Sequence, residues 1–402
     1  MTKNKLILRL VLYGFIISTL IGVISFGFIF LESNLSHHLW DAVLPYPWLI
    51  LPICLLGGVI VGSLRKKWGD YPQVAHHTIS ELKETQTVDY RHVFNNLTVA
   101  LFILIFGAGV GPEAALLSSI VMLSVWQADK LRYLYGNQEE FFSLSPIDRI
   151  KHMLHPTKYL VTYHKDNEPD HPQLANIKKF SNTLFSLNGL VAFFVLMKLT
   201  EQPSFITKMG ETNWHLKELL LLIPLVLFGY LSGQLYLLLK KHMTRWFDFW
   251  QDQPIKKALI GSVAIFVTAI FLPSLLFSGQ TSLGGIPERY LQFSVAFLLV
   301  VVALKLVFLL ICLNTGWIGG DIFPIVFAAI LNGFAISQLF PTFDAIFIAA
   351  VVATSMAIVI LDSPVGIPIF VALFFPSQIL PVLLMVALIF IAKKKLTKKL
   401  AK

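Results

Sequence analysis

Two short segments hold the residues best suited to chemistry in this chain. The first reads Phe106-Gly-Ala-Gly-Val-Gly-Pro-Glu-Ala-Ala-Leu-Leu117, with one carboxylate, Glu113, directly after a glycine-rich stretch and a proline. Each glycine in a helix costs about 1 kcal/mol relative to Ala, so Gly107, Gly109 and Gly111 resist helix formation. Pro112 suits the first turn of a new helix, where its missing N–H costs nothing. A helix running from about Pro112 to Trp126 then begins inside an apolar run, and its free N–H groups and positive dipole end make an anion site. The second segment reads Asn314-Thr-Gly-Trp-Ile-Gly-Gly-Asp-Ile-Phe-Pro-Ile-Val-Phe327, with Pro324 opening the next helix by the same logic. Two helix N-termini facing one point would bind a desolvated anion through backbone dipoles. That hold is looser than a Lys or Arg charge would give, and it allows release.

The other polar residues have plainer readings. In water, Glu113 would be a first-turn carboxylate stabilised by about 0.3–1 kcal/mol. At membrane depth a charge is expensive, and function is the default. Asp321 and Asp362 each precede a proline at an expected helix start, and read as N-caps rather than proton carriers. Lys305 lies centrally in an apolar run. Pairing with a carboxylate, raising the potential for anions and snorkelling all stay open for it. His37-His38 and His76-His77 are adjacent pairs that do not share a helix face, with no third ligand at metal spacing, so they read as surface residues. Cys54 and Cys312 lie in apolar runs and read as packers. Nothing here implies a metal or a cofactor. No His or Ser–Lys partner accompanies the carboxylates at helical spacing, which argues against a membrane-embedded enzyme.

The elements that must position these segments follow from composition. The 402 residues are 56% hydrophobic and only 14% charged, with mean hydropathy +0.71. A soluble domain carries about 25% charge, so a cytosolic, secreted or disordered chain is excluded. Runs without any Asp, Glu, Lys or Arg include 10–31, 258–287 and 363–392, and a helix needs about 20 residues to cross the hydrocarbon. The alternation of a strand barrel is absent. The fold class is an all-α polytopic membrane protein.

Lys and Arg gather in 65–91, 130–179, 240–257 and the tail from Lys393, whereas 32–41 and 278–287 have none. By the positive-inside bias both termini are cytoplasmic, at the cell membrane. The net charge of +9 then marks topology and not a nucleic-acid partner. The expected organisation is one transmembrane domain over 1–402. Its first half is 6–205, with a cytoplasmic insert at 129–179. Its second half is 206–393, followed by a basic tail at 394–402 with no soluble domain. The first apolar run reads as a retained helix rather than a signal peptide. A Gly/Pro-broken segment with one carboxylate in each half points to an inverted repeat with its site near the midplane.

Gly111-Pro-Glu-Ala-Ala115 resembles the Gly-Lys/Arg-Glu-Gly-Pro motif of the CLC chloride channels and transporters. Gly320-Asp-Ile-Phe-Pro324 is similar to their Gly-x-Phe-x-Pro. The likeness runs over about 8–390 and implies a CLC-like inverted-repeat bundle with broken and half-membrane helices. It also implies a homodimer with one pathway per subunit, carrying chloride or a similar small anion, with protons as a possible partner. By resemblance Glu113 is the gate, and its carboxylate occupies the anion site until protonated or displaced. The amides of Ile322 and Phe323, with Gly320, face those of Gly111, Glu113, Ala114 and Ala115. Trp68-Gly-Asp-Tyr-Pro72 matches the inner Gly-Ser-Gly-Ile-Pro motif, which makes Gly69 and Asp70 the inner-site region without the family's serine hydroxyl. Gly284-Gly-Ile-Pro-Glu288 matches it as a string but sits in the wrong half. The family's internal glutamate has no counterpart in Leu187–Leu196, and its central tyrosine is missing. The expectation is therefore passive conduction or weakly coupled exchange of chloride, with a transporter of another small anion such as fluoride as the alternative.

Overall fold

A computed structural model describes residues 3–163, 172–202, 206–247, 253–279, 282 and 285–400. Part of the expected insert (164–171), the boundary of the halves near 205, Gly284 and the last two tail residues lie outside these. The described residues form helices joined by short turns. Six of those helices are long and apolar enough to cross a membrane, and three shorter apolar helices accompany them. The chain divides into two compact units, each interleaved along the sequence: Met1–His38, Asp70–Leu101 and Ala114–Pro203 in one, Leu39–Gly69, Phe102–Glu113 and Ser204–Lys402 in the other.

The first unit holds most of α1 (Lys3–Val43), α3 (Ala75–Thr85), most of α4 (Val93–Ile105) and α5 (Glu113–Gly136), then α6 (Gln138–Ser143), α7 (Pro146–Leu154) and α8 (Pro172–Leu199). Its core gathers Ile17, Ile21, Val93, Met122, Trp126 and Met153. Asn188 of α8 donates to the Phe15 carbonyl at 3.0 Å and to Ser18 Oγ at 2.8 Å, which ties α8 to α1.

The insert expected from 129 onward begins differently. Helix α5 continues ten residues beyond Trp126, because Asp129 and Lys130, which in sequence look like the start of a solvated loop, are buried with partners. Asp129 pairs with Arg132 and accepts from the Tyr90 hydroxyl at 2.9 Å. Lys130 Nζ donates to the His152 carbonyl at 2.9 Å and to that of Lys158. A buried charge with partners no longer opposes the helix.

The second unit holds α2 (Pro47–Trp68), α9 (Leu222–Phe247), α10 (Pro254–Phe271), α11 (Ile286–Arg289), α12 (Val295–Asn314), α13 (Ile322–Ser337), α14 (Ala345–Leu361), α15 (Gly366–Ala372) and α16 (Leu380–Leu400). Helices α13 and α14 are apolar all round and buried along nearly their whole length, as expected for helices enclosed by others. With 16 residues, α13 spans about 24 Å, short of the roughly 30 Å of a hydrocarbon core.

Close contacts in this unit use small residues. Gly229 and Gly233 of α9 form a Gly-x-x-x-Gly face against Ser355, Met356 and Val359 of α14, the device that lets membrane helices approach. A Cβ at Gly233 would lie 2.7 Å from Val359 Cβ and 3.0 Å from the Met356 carbonyl. Gly233→Leu is therefore expected to push α9 off α14 and cost about 1–3 kcal/mol or more. An unchanged melting temperature in detergent would contradict that packing.

Candidate functional site

Each glycine-rich break is pinned by a tryptophan. In the first, Gly107 takes φ +81° and turns its missing side chain toward the Trp40 indole, whose Nε1 donates to the Ile105 carbonyl at 3.0 Å. In the second, Gly316 takes φ +90° and Trp317 is fully buried, with Nε1 donating to the Ala258 carbonyl of α10 at 2.8 Å. These positive φ values favour glycine. The Gly109 N–H donates to Cys312 Sγ at 3.3 Å, so this cysteine does more than pack.

The two breaks are joined to each other. The Gly111 N–H donates to the Gly320 carbonyl at 2.8 Å, and the Gly320 N–H returns the bond to Gly111 at 2.7 Å. These two amides are thereby committed. The amides of Ile322 and Phe323 follow, at the N-terminus of α13.

Glu113 fills that place. Its Oε1 accepts from the Phe323 N–H at 3.1 Å, and the carboxylate also interacts with the Ile322 amide and its own. A Cβ on either Gly111 or Gly320 would overlap the carboxylate. The two glycines thus form a cradle sized for it. Glu113 Oε2 is shut off from solvent and has no hydrogen-bond partner among the described residues. A carboxyl group therefore sits on a helix N-terminus inside an apolar bundle, held by backbone amides and by no Lys or Arg, with one oxygen unsatisfied.

The family model for voltage-gated chloride channels matches residues 177–393, just over half of the chain and inclusive of the second break. The chain belongs to the voltage-gated chloride channel (CLC) family. Solved CLC structures share its fold. A CLC-type fluoride/proton antiporter superposes with TM-score 0.65 at 16% identity, covering 96% of this chain and 95% of its own. A slow cyanobacterial Cl⁻/H⁺ antiporter gives 0.69 at 15%, covering 94% and 93%. A eukaryotic CLC transporter gives 0.57 at 13%, covering 94% of this chain and 71% of its own. No curated protein matches by sequence.

The remaining expected residues of this CLC chain lie as follows. Ala114 and Ala115 belong to the first turn of α5, and the Ala115 carbonyl accepts from Asn96 of α4 at 3.2 Å. Gly69 closes α2, and both it and Asp70 are exposed. Asp362 is not an N-cap. It ends α14 in the left-handed region at φ +47°, and its carboxylate binds Lys394 Nζ at 2.9 and 3.0 Å; α15 begins only at Gly366. Asp321 stands at the N-cap position of α13 but makes no capping bond. Lys305 neither snorkels nor meets a carboxylate. It is fully buried, donating to the Leu275 carbonyl at 2.9 Å and to that of Phe277, with Nζ 5.7 Å from the Phe308 ring centre. The histidine pairs are exposed.

Trp40 and Trp317, which pin the breaks, are not among the residues that sequence reasoning singles out. Trp317 directly follows Gly316, a signal for a pinned turn, whereas Trp40 lies between Leu39 and Asp41 with no glycine near it in the sequence.

Proposed function

We propose that this CLC protein carries chloride or a similarly small anion across a membrane, with Glu113 as the gate. One observation carries the reading: the Glu113 carboxylate accepts the Phe323 amide within the Gly111–Gly320 cradle. A negative group already occupies the place where amides and the α13 dipole favour an anion. A permeating anion competes for those amides, and protonation of Glu113 releases its hold. The likeness to a CLC-type fluoride/proton antiporter over nearly the whole chain supports fluoride as the second candidate. A homodimer with one pathway per subunit, a cell-membrane location and cytoplasmic termini complete the proposal, the last from the placement of Lys and Arg.

The test is chloride flux from vesicles reconstituted with purified protein. Glu113→Gln keeps the shape but removes the charge and its titration. Flux through the variant is expected to rise and to lose its dependence on pH. Identical flux through parent and variant, with and without a pH gradient, would remove Glu113 from the gate. Competition between fluoride and chloride in the same assay chooses between the two anions.

A further inference from the structure

Lys305 of α12 commits a buried charge to a single backbone turn. Its side chain is fully buried, and Nζ donates to the carbonyls of Leu275 and Phe277. An ionisable group at membrane depth is costly and points to function. The turn it holds is strained. Phe277 takes φ +59°, a conformation that bulky residues avoid and that persists only where the surroundings over-determine it. The ammonium donates to the carbonyl of that residue and to the one two residues before it.

The same turn touches both parts of the anion geometry. On one side the Phe277 N–H donates to the Gly107 carbonyl of the first break at 3.5 Å. The Phe277 ring meets Trp40, the indole that pins this break, with centroids 6.1 Å apart and planes at 81°. On the other side Gly279 takes φ +82° and packs on Phe327 of α13, where a Cβ would come within 2.9 Å of the ring. Phe327 stands four residues after Phe323, on the same face of α13, and the Phe323 amide holds Glu113. Lys305 reaches the first break by a second route. Its Nζ lies 5.7 Å from the Phe308 ring centre, and Phe308 fills the space beside Gly109, where a Cβ would lie 2.6 Å from the ring.

We infer that Lys305 is a positioning residue for the anion site, fastening residues 275–279 as a strap that sets the first break against α13. The inference rests on the anion reading of the α13 N-terminus. Lys305 acts through the turn and not by touching the anion. Without the ammonium, the Leu275 and Phe277 carbonyls lose their donor inside the bundle, and Phe277 has less to hold it in the left-handed region. Gly107 and Phe327 are then released together, and the two breaks lose a shared reference.

The experiment uses the purified full chain, with chloride affinity by calorimetry and chloride flux from vesicles, each read beside the melting temperature. Lys305→Met keeps the length of the side chain and removes its donors. Chloride affinity of the folded variant is expected to fall at least about fivefold, the lower end of coupling between separate sites. Lys305→Arg keeps donors and restores most of the affinity. Gly279→Ala disturbs the strap from its other end with the Lys305 charge in place, and lowers affinity in the same direction. Parent-like affinity in folded Lys305→Met means that the lysine supports the bundle alone, and overturns the inference. A loss in Lys305→Met with parent-like affinity in Gly279→Ala assigns the effect to the charge and not to the strap, and overturns it as well. Should Lys305→Met fail to fold, Gly279→Ala decides by the same criterion. Absence of chloride binding and flux in the parent defeats the anion reading itself.

Discussion

Gly320→Ala is expected to empty the N-terminus of α13 of any anion while leaving the fold in place. The backbone at Gly320 is not among the positive-φ positions, so alanine suffers no conformational strain there. The added methyl instead falls on the Glu113 carboxyl group. That neighbour is the end of a flexible side chain, and it gives way where a backbone neighbour would not. The methyl then remains in the space that the proposed permeating ion would occupy. An anion there loses one or two hydrogen bonds to backbone amides, roughly 1.5–3 kcal/mol each when the acceptor is charged. Each such loss weakens binding by about ten- to a hundredfold. Chloride affinity by calorimetry and chloride flux in vesicles should both collapse, whereas the melting temperature should move little. This separates the cradle from the proposed gate, because Glu113→Gln should free the site and Gly320→Ala should fill it. Parent-like chloride affinity in Gly320→Ala would mean that the anion binds elsewhere.

What could be read from the sequence was whatever the chain states locally. The breaks announce themselves through Gly107, Gly109, Gly111 and Pro112, and again through Gly316, Gly319, Gly320 and Pro324, since these residue types change the backbone wherever they stand. The apolar runs announce the membrane for the same reason. The structure departs from the local signal where a distant partner reverses it. Asp129 and Lys130 look like the start of a loop, yet Tyr90, Arg132 and the carbonyls of His152 and Lys158 satisfy them. Asp362 before a proline looks like a helix start, yet Lys394 holds it at a helix end. The role of Lys305 is not legible locally, because its partners are carbonyls 30 and 28 residues away, and a carbonyl leaves no mark in a sequence. The pairing of Gly111 with Gly320 is of the same kind. Each break shows what it is, but not that it needs the other.

Trp317→Ala tests that dependence and should be the most damaging single change in the second unit. The indole is fully buried beside Gly261 of α10, where a Cβ would strike it. Emptying a site of this size costs about 3–5 kcal/mol. The lost hydrogen bond adds little, because the Ala258 carbonyl keeps a bond from Ser262 Oγ at 3.1 Å. Packing therefore dominates, and Trp317→Phe should recover most of the loss, forfeiting only about 0.5–1.5 kcal/mol for the N–H donor. The functional consequence follows from position. Trp317 holds the break whose Gly319 packs on Val110 and whose Gly320 pairs with Gly111. A break released from α10 no longer presents the Ile322 and Phe323 amides at one place. Reactivity of the buried thiols of Cys54 and Cys312 reports unfolding without relying on tryptophan fluorescence. Trp317→Ala should expose them at a much lower temperature, and chloride affinity should fall even where the protein stays folded. If thiol protection drops while affinity in the folded fraction holds, the tryptophan supports the bundle alone and the amides are positioned by the Gly111–Gly320 pair.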